Sequence, residues 1–496
     1  MSALPADDVT TVSAQTRRYL PWLVAGALFM ENLDATIVNT AVPTMSISLG
    51  VEPLSLKAVL TSYTLSLAVF IPISGWMADR FGTRRVFRLA VMLFFLGSLF
   101  CGLAPNVPLL VAARILQGLG GAMMTPVGRL ALVRSFPRSD MLRVMNFVVI
   151  PALIGPLIGP FVGGLIVHVV SWRVIFFLNL PLAIFGLWMI RRYMPDFRDE
   201  QVKPLDRTGF VLFGSGIALL SYVLEVFGEH TIPGQDIGIM LVVSGGLLAA
   251  YWWHAQRDDA PVLALALLRV RTFRLSVAGG FVTRLGVGGM PFLLPLLYQI
   301  GLGYPAWQAG LLTMPQALAA MGMKVISQKV LARFGHRTIL IGNTVLLGLT
   351  MTMFTQIGPG SPVWAILLIS FAQGFFASLQ FSSMNSLVYA DISDRDASKA
   401  SSIASTAQQL SLSFGVAMGS LVTAWFLGHV NQHDPLQTVP ALHKAFIALG
   451  GITIVSSLTF WGLHGNDGNN VSHRRTIPPA DPEPTIAGGT PVPTAK

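Results

Sequence analysis

Apolar residues along the chain form long uninterrupted runs rather than short amphipathic elements. Each run has about twenty residues, the length of helix that crosses the hydrocarbon core of a bilayer. Fourteen such runs are separated by short polar segments. They span residues 19–43, 57–78, 86–105, 108–133, 143–168, 173–194, 208–228, 236–256, 275–298, 306–328, 338–357, 362–389, 401–428 and 441–463. The pattern predicts an all-α integral membrane protein with fourteen transmembrane helices, spans 1 to 14.

The composition agrees with a lipid environment. Of the 496 residues, 53% are hydrophobic and 11% are charged, whereas a soluble domain carries roughly 25% charged residues. Too few polar residues are available to cover soluble domains of this total size, so a soluble enzyme is excluded. The single cysteine, Cys101, cannot form an intramolecular disulfide or a thiolate metal cluster.

The net charge of +10 would suggest a nucleic-acid partner in a soluble protein. With the N-terminus in the cytoplasm, however, most of the 33 Lys and Arg residues fall in cytoplasmic loops and tails. This distribution is the positive-inside pattern of membrane proteins. We therefore expect a multi-pass membrane protein with both termini in the cytoplasm and no nucleic-acid partner.

Two sequence pairs recur at near-equal offsets. Residues 80–84 and 333–337 read RFGTR and RFGHR, and Gln117-Gly118 returns as Gln373-Gly374, so the offsets are 253 and 256 residues. Such a repeat predicts two homologous six-helix bundles, as in secondary transporters. The predicted divisions are a cytoplasmic tail (1–18), the first bundle (19–194), two inserted helices (195–257), the second bundle (258–463) and a disordered cytoplasmic tail (464–496).

Span 1 carries two acids, Glu31 and Asp34, on one face of the helix. An ionised Asp at mid-membrane costs about 3 kcal/mol, so both acids should face a watery cavity, pair with a base or stay protonated. A carboxyl group that gains and loses a proton under these conditions suits proton coupling. A structural ion pair is the alternative.

Span 4 places Arg114 on a stripe of polar and small residues that includes Gln117, Gly118, Gly121 and Thr125. The stripe should face protein. The arginine keeps its proton, but its charge can change a neighbouring carboxyl group's affinity for a proton as helices move. A helix-packing anchor is the alternative role for Arg114.

Two further segments have conspicuous small and charged residues. Span 5 carries glycines at spacings of four with prolines among them, a pattern of close helix approach and bending, and plain packing explains it equally. The segment 75–85 between spans 2 and 3 combines one acid with several bases. Asp79 there could cap a helix or pair with an arginine across the cytoplasmic seam, holding the inner side closed.

Together these motifs resemble those of the major facilitator superfamily. The segment 75–85 resembles the superfamily's motif after span 2, although Thr83 stands where a base is usual, and residues 33–39 with Pro43 resemble the span 1 signature of its fourteen-span drug:proton antiporters. Arg114 with Gln117 resembles the span 4 motif. The span 5 antiporter motif is matched by Gly155, Gly159, Pro160, Gly163 and Gly164. The cytoplasmic gate is expected at Gly75, Asp79, Arg80, Gly82 and Arg84.

The resemblance implies a monomeric proton-driven exporter of small molecules that works by alternating access without a cofactor. Asp34 would carry the proton, with Glu31 as a second candidate and Arg114 tuning it. No GxxxxGK[ST] phosphate-binding loop occurs in the sequence, consistent with a carrier that does not use ATP. An integral-membrane enzyme or a sensor on this fold is disfavoured because the chain has no paired catalytic acids and no long soluble domain.

Substrate charge is left open by the sequence. The substrate cavity is expected to draw on the polar in-span residues Asn39, Gln117, Glu225, Arg284, Lys324 and Asn385. In-span acids and bases are nearly balanced, so a carrier for an organic anion or its metal chelate is the alternative to a drug exporter. The polar groups Asp391, Asp394, Asp396 and His429, His433 lack further ligands, so no metal site is predicted.

Overall fold

The structure is a computed structural model that describes residues 12–199, 201–227, 233–393, 396–428, 432 and 434–472. It is built from helices. The α-helices are α1 Ala14–Ile37, α2 Val42–Leu49, α3 Lys57–Phe81, α4 Thr83–Leu103, α5 Val107–Ser135, α6 Arg138–Val169, α7 Val174–Phe177, α8 Asn179–Tyr193, α9 Arg207–Val226, α10 Gly234–Ala255, α11 Arg271–Val287, α12 Met290–Leu296, α13 Ala306–Phe334, α14 His336–Met353, α15 Val363–Leu387, α16 Ala397–Leu427, α17 Pro435–Ser456 and α18 Asn469–Ser472.

The predicted fold class is confirmed. Thirteen segments in the described part of the chain are helical, long and apolar enough to cross a membrane. The fourteenth span is α1, which has 24 residues but is made less apolar by Glu31, Asn32 and Asp34. Helices α1 to α8 and α11 to α17 form the two bundles, while α9 and α10 pack mainly on each other and α9 also contacts α3 and α16.

Several helix boundaries differ from the predicted ones, and in the first bundle two of the differences have local reasons. Span 1 is not one helix to Pro43, because α1 ends at Ile37 and a 3-10 turn over Asn39–Ala41 precedes α2. The segment 75–85 is not a loop, since α3 continues to Phe81 and α4 starts at Thr83. Gly82 alone makes the turn with φ 94°, a conformation that favours glycine.

The same turn occurs in the second bundle. Helix α13 continues to Phe334, past the predicted end of span 10, and Gly335 with φ 77° leads directly into α14. Polar residues at the inner ends of these helices therefore belong to their last turns, where sequence alone suggested loops.

The two bundles meet at one end of the molecule, which we call the Leu54 end; the opposite end, at the Gly82 turn, is the Asp79 end. Four hydrogen bonds join the bundles near the Leu54 end: Leu54 N–H to Gln432 Oε1 (3.0 Å), Ser420 Oγ to Leu54 O (3.3 Å), Gln299 Nε2 to Thr40 O (2.9 Å) and Ser413 Oγ to Thr61 O (3.2 Å). One hydrophobic core here includes residues of both bundles. Toward the Asp79 end, separate cores lie in the first bundle and in the second.

The start of the predicted C-terminal tail folds against the second bundle. Asp467 accepts two hydrogen bonds from Arg271 Nη2 (2.7 and 2.9 Å), and α18 contacts α13 and α15. Residues 473–496 lie outside the described part, so the predicted disorder there stays a prediction. Of the tail predicted for residues 1–18, residues 1–11 also lie outside the described part, and α1 begins at Ala14.

Close packing of α6 on α13 joins the bundles, and it generates a stability prediction. A Cβ atom at Gly310 of α13 would overlap the carbonyl group of Pro160, whereas Gly322 on the same helix has open space around it. We expect Gly310→Ala to lower the free energy of unfolding by about 1–3 kcal/mol through overpacking, and Gly322→Ala to leave it unchanged or raise it by less than about 1 kcal/mol.

The measurement is thermal unfolding in detergent with a thiol-reactive dye. The only cysteine, Cys101, is buried, so labelling reports unfolding without further mutations. Equal melting temperatures for Gly310→Ala and Gly322→Ala would contradict the close contact.

Candidate functional site

The centre of the first bundle holds a buried ion pair. Arg114 Nη1 of α5 lies 2.6 Å from Asp34 Oδ2 of α1, and the two side chains are 1% and 0% exposed. Arg114 Nε also donates to the backbone carbonyl of Val59 on α3 (3.2 Å). The structure thus brings together the two residues predicted for proton coupling.

Amide side chains complete the coordination of the Asp34 carboxylate. Gln117 Nε2 and Asn179 Nδ2 each donate to Asp34 Oδ1 at 2.8 Å. Gln117 is itself held by Arg114 Nη1, which donates to its Oε1 (2.6 Å), and by Ser98 Oγ, 2.7 Å from its Nε2. We call Asp34, Ser98, Arg114, Gln117 and Asn179 the Asp34 cluster.

The Asp34 cluster joins four helices: three meet at the Asp34 carboxylate, and the fourth is joined through Ser98 to Gln117 and Asn179. Its members come from α1, α4, α5 and α8, and all five are buried. Both carboxylate oxygens accept hydrogen bonds, so the buried carboxylate group has partners on each oxygen. Protonation would remove one charge and leave Arg114 buried without its counter-charge, a costly arrangement. A proton on Asp34 must therefore be accompanied by a change in helix packing.

Aromatic rings enclose the guanidinium group. Arg114 Cζ lies 4.4 Å from the centre of the Tyr63 ring and 5.9 Å from that of Phe176. Both rings are almost fully buried. The rings offer cation–π stabilisation and keep water away from the ion pair.

The second acid of span 1 lies beside the cluster but in a different setting. Glu31 is partly exposed, and Thr125 Oγ1 of α5 donates to its Oε2 (2.5 Å). Arg129, which is exposed, is its nearest positive neighbour. Glu31 is the more accessible of the two acids.

The equivalent place in the second bundle is neutral. Ser370 and Gln373 stand where the first bundle has Arg114 and Gln117. Tyr298 Oη is 3.2 Å from Ser370 Oγ, and Thr350 Oγ1 donates to Gln373 Oε1 (3.0 Å). The two halves of the repeat thus differ in the packed interior, where neutral groups stand at the positions of Arg114 and Gln117.

A cavity of about 380 Å³ lies between the bundles. Its walls come from α1, α6, α12, α13 and α15 and from the turn after α1. Three of the predicted cavity residues line it: Asn39, Lys324 and Asn385. The lining carries no acidic side chain among the described residues, and Lys324 is its one charged group.

The other predicted cavity residues lie elsewhere. Gln117 belongs to the Asp34 cluster. Glu225 lies on inserted helix α9, where Thr61 Oγ1 is 3.3 Å from its Oε2. Arg284 is 7% exposed and sits behind the cavity wall, with Nη2 3.5 Å from Asn385 Oδ1 and Cζ 4.9 Å from the Phe381 ring centre.

The predicted gate segment is attached to the chain that follows α8. Thr83 N–H donates to Phe197 O (3.1 Å), Thr83 Oγ1 donates to Pro195 O (2.9 Å) and Arg84 N–H donates to Asp196 Oδ1 (3.1 Å). Any Cβ atom at Gly82 would overlap Asp196. The buried Thr83, at the position where a base is usual, thus serves as a hydrogen-bonding anchor.

The remaining gate residues stay within the first bundle. Asp79 pairs with Arg134 of α5, Nη2 to Oδ1, at 2.8 Å. The predicted partner was an arginine across the seam, but α3 and α5 pack side by side, so their ends meet inside one bundle. Gly75 and Arg80 lie in the last two turns of α3, and Arg80 is exposed.

Helix α6 packs its predicted glycines against two neighbours. Cβ atoms at Gly155, Gly159 and Gly163 would collide with α1 at Leu33, Thr36 and Ile37. At Gly164 the collision would be with Ala306 at the start of α13, and Pro160 lines the central cavity. The glycine stripe therefore connects the helix of Asp34 to the second bundle.

One group of side chains has the composition of a metal site. Asp206, His254 and Asp258 lie close together at the Asp79 end of α9 and α10. Asp206 Oδ1 accepts from Gly209 N–H and is 2.7 Å from His254 Nε2, while its Oδ2 accepts from Val262 N–H. These bonds occupy both oxygens, so the group is explained as a helix cap. Asp394, His429 and His433 lie outside the described residues.

Sequence reasoning missed four residues of the site. Asn179, Tyr63 and Thr125 contact Asp34, Arg114 or Glu31, and Ser98 accepts hydrogen bonds from Gln117 and Asn179. The available signal was weak: a lone amide or hydroxyl group within an apolar run. Thr125 had been placed on the protein-facing stripe of span 4, but no partner was assigned to it.

Comparisons with known proteins agree on the family. A sequence model described as Major Facilitator Superfamily matches residues 24–416 and 317–488. A protein of Serratia proteamaculans named "Putative multidrug resistance protein MdtD" is 39% identical over 426 residues, which are 86% of this chain and 88% of that protein. Two solved structures share the fold at 15% identity.

The first is a POT family transporter in complex with a thioalcohol-conjugated peptide, with a TM-score of 0.69 over 91% of this chain and 98% of that one. The second is a D-xylose–proton symporter, with a TM-score of 0.63 over 91% of this chain and 99% of that one. With these matches across its helical bundles, the chain belongs to the major facilitator superfamily of membrane transporters and is not an enzyme.

Proposed function

We propose that this protein is a proton-coupled multidrug exporter of the bacterial inner membrane, acting as a monomer without a cofactor. The observation that carries the proposal is the Asp34–Arg114 pair. Its carboxyl group is titratable and sealed inside the first bundle, and a cavity lies close by, between the two bundles. Its MdtD relatives, named for multidrug resistance, support drugs as substrates.

The driving force is sufficient for such export. A proton that moves down a potential of about 150 mV releases roughly 3.5 kcal/mol, which supports a concentration ratio of a few hundredfold for a neutral substrate. Proton binding at Asp34 and substrate binding in the cavity would alternate, with the cavity opening to one side at a time.

The basic helix ends support a cytoplasmic location for the Asp79 end, as the positive-inside pattern expects. The bundles are joined at the Leu54 end by hydrogen bonds and a shared core, which fits a carrier closed to the outside. Lys324 and Asn385 lie on the cytoplasmic side of this closure, where a drug would enter.

Neutralising the ion pair tests the coupling. We expect Asp34→Asn to reduce substrate-driven proton flux to below about a tenth and to destabilise the protein by about 3–5 kcal/mol, because Arg114 is left buried and unpaired. The double variant Asp34→Asn/Arg114→Gln should regain most of the stability, since neither charge remains, but not the flux.

Flux would be measured in everted vesicles with an imposed pH gradient, using ethidium, chloramphenicol and succinate as cationic, neutral and anionic probes. Stability would be followed by thiol labelling of Cys101. Wild-type proton flux in the double variant would reject Asp34 as the coupling site.

A second candidate function is proton-coupled export of an organic anion. The cavity lining contains Lys324 and, among the described residues, no acid. Arg284 lies just behind it with no carboxylate within salt-bridge distance in the described part of the chain. A cationic substrate would gain no electrostatic attraction from these positive groups, whereas a carboxylate would be attracted to them.

Removing the positive charges tests substrate class. If the substrate is anionic, Arg284→Ala and Lys324→Gln should each lower succinate-driven flux at least tenfold and spare ethidium-driven flux. Lys329→Gln is the matched control, because Lys329 lies on α13 like Lys324 and is exposed, but it does not line the cavity. Unchanged flux for all three probes in both variants would remove the case for an anionic substrate.

A further inference from the structure

A fully buried hydroxyl group stands between the two acids of α1. Tyr63 of α3 is 1% exposed, and its Oη atom has no hydrogen-bond partner in the described part of the chain. A buried hydroxyl without a partner costs about 1–3 kcal/mol. Because of this cost, we expect the hydroxyl group of Tyr63 to have a functional role.

The position of this hydroxyl group follows from the contacts along one face of α5. Asp34 bonds to α5 at Gln117, and Glu31 bonds to α5 at Thr125. Gly121 lies midway, and a Cβ atom there would be 3.1 Å from Tyr63 Oη. The three residues of α5 are four apart and share one face, so the hydroxyl is about 6 Å along the helix axis from the level of each acid.

Electrostatics agree with that position. Tyr63 is close enough to Glu31, Asp34 and Arg114 to interact with the charge of all three. Each hydrogen bond spans about 2.8 Å, so one or two water molecules bridge a separation of this size on either side of the hydroxyl group. The glycine at position 121 leaves the room that the hydroxyl group occupies.

We propose that Tyr63 relays the proton between the accessible Glu31 and the sealed Asp34. The inference rests on the proposed proton-coupled function and names the route into its coupling site.

The transfer conserves atoms and charge. The O–H bond of protonated Glu31 breaks, and its proton passes through water to the Tyr63 oxygen as the phenolic proton leaves toward Asp34. An O–H bond forms on Asp34, so the negative charge has moved from Asp34 to Glu31 and Tyr63 again carries one proton. The neutral Asp34 then no longer balances Arg114, which favours rearrangement of the cluster.

The relay can be tested without any substrate. The full-length protein in detergent is subjected to a rapid pH drop, and protonation of Asp34 is followed by the infrared carboxylic-acid band that Asp34→Asn removes. We expect Tyr63→Phe, which keeps the ring over Arg114, to slow this band at least tenfold. Tyr298→Phe is the matched control, since Tyr298 is equally buried in the second bundle, and it should have the wild-type rate.

Two results would overturn the relay: a wild-type rate in Tyr63→Phe, or no Asp34 band in the wild type. If Tyr63→Phe does not fold, as judged by Cys101 labelling, Gly121→Ala takes its place, because the added methyl group would lie 3.1 Å from the hydroxyl oxygen and crowd the space beside it. An unchanged rate in that variant also overturns the relay. Absence of substrate-driven flux in wild-type vesicles, with the relay intact, would instead reject the proposed function alone.

Discussion

Two opposite charges sealed inside a membrane-spanning bundle must stay together. Neither Asp34 nor Arg114 reaches water, and each would be expensive to bury alone. Their attraction is strong because little solvent screens it. The positions of α1, α4, α5 and α8 follow from this, since each supplies a group that the pair needs. Adding a proton to Asp34 would remove its charge, and the four helices would then have to provide a different set of charge and hydrogen-bond partners.

The two bundles share a fold but not this requirement. Ser370 and Gln373 place neutral groups at the positions of Arg114 and Gln117, so the second bundle can pack its interior without an ion pair. Its bases, Arg284 and Lys324, lie toward the cavity instead. The first bundle thus carries the titratable centre, and the second carries the unbalanced charge near the cavity.

The fold was predictable because each span can be recognised in the sequence by its length and its small number of charged residues. The approach of Asp34 and Arg114 was also predictable, since lone charges in apolar helices need partners. The orientation of neutral groups was not. Asn179 and Tyr63 are single polar positions in apolar runs, and only packing decides which way they face.

Helix ends were misjudged for a related reason. Charged residues near Asp79 suggest a loop, yet one glycine with positive φ is enough to make the turn.

The Asp34 cluster and the cavity do not touch through a shared side chain, so coupling between them must be mechanical. Helix α1 carries Asp34 in its last turn, and Thr36 and Asn39 on the cavity follow within five residues. The chain leaves the α-helical path directly after Ile37, so movement of α1 need not displace α2. At its glycine positions, the backbone of helix α6 packs directly against both the last turn of α1 and the start of α13. In the proposed mechanism, a shift of α1 that follows loss of the Asp34 charge would therefore be transmitted through α6 to the contact that closes the Leu54 end.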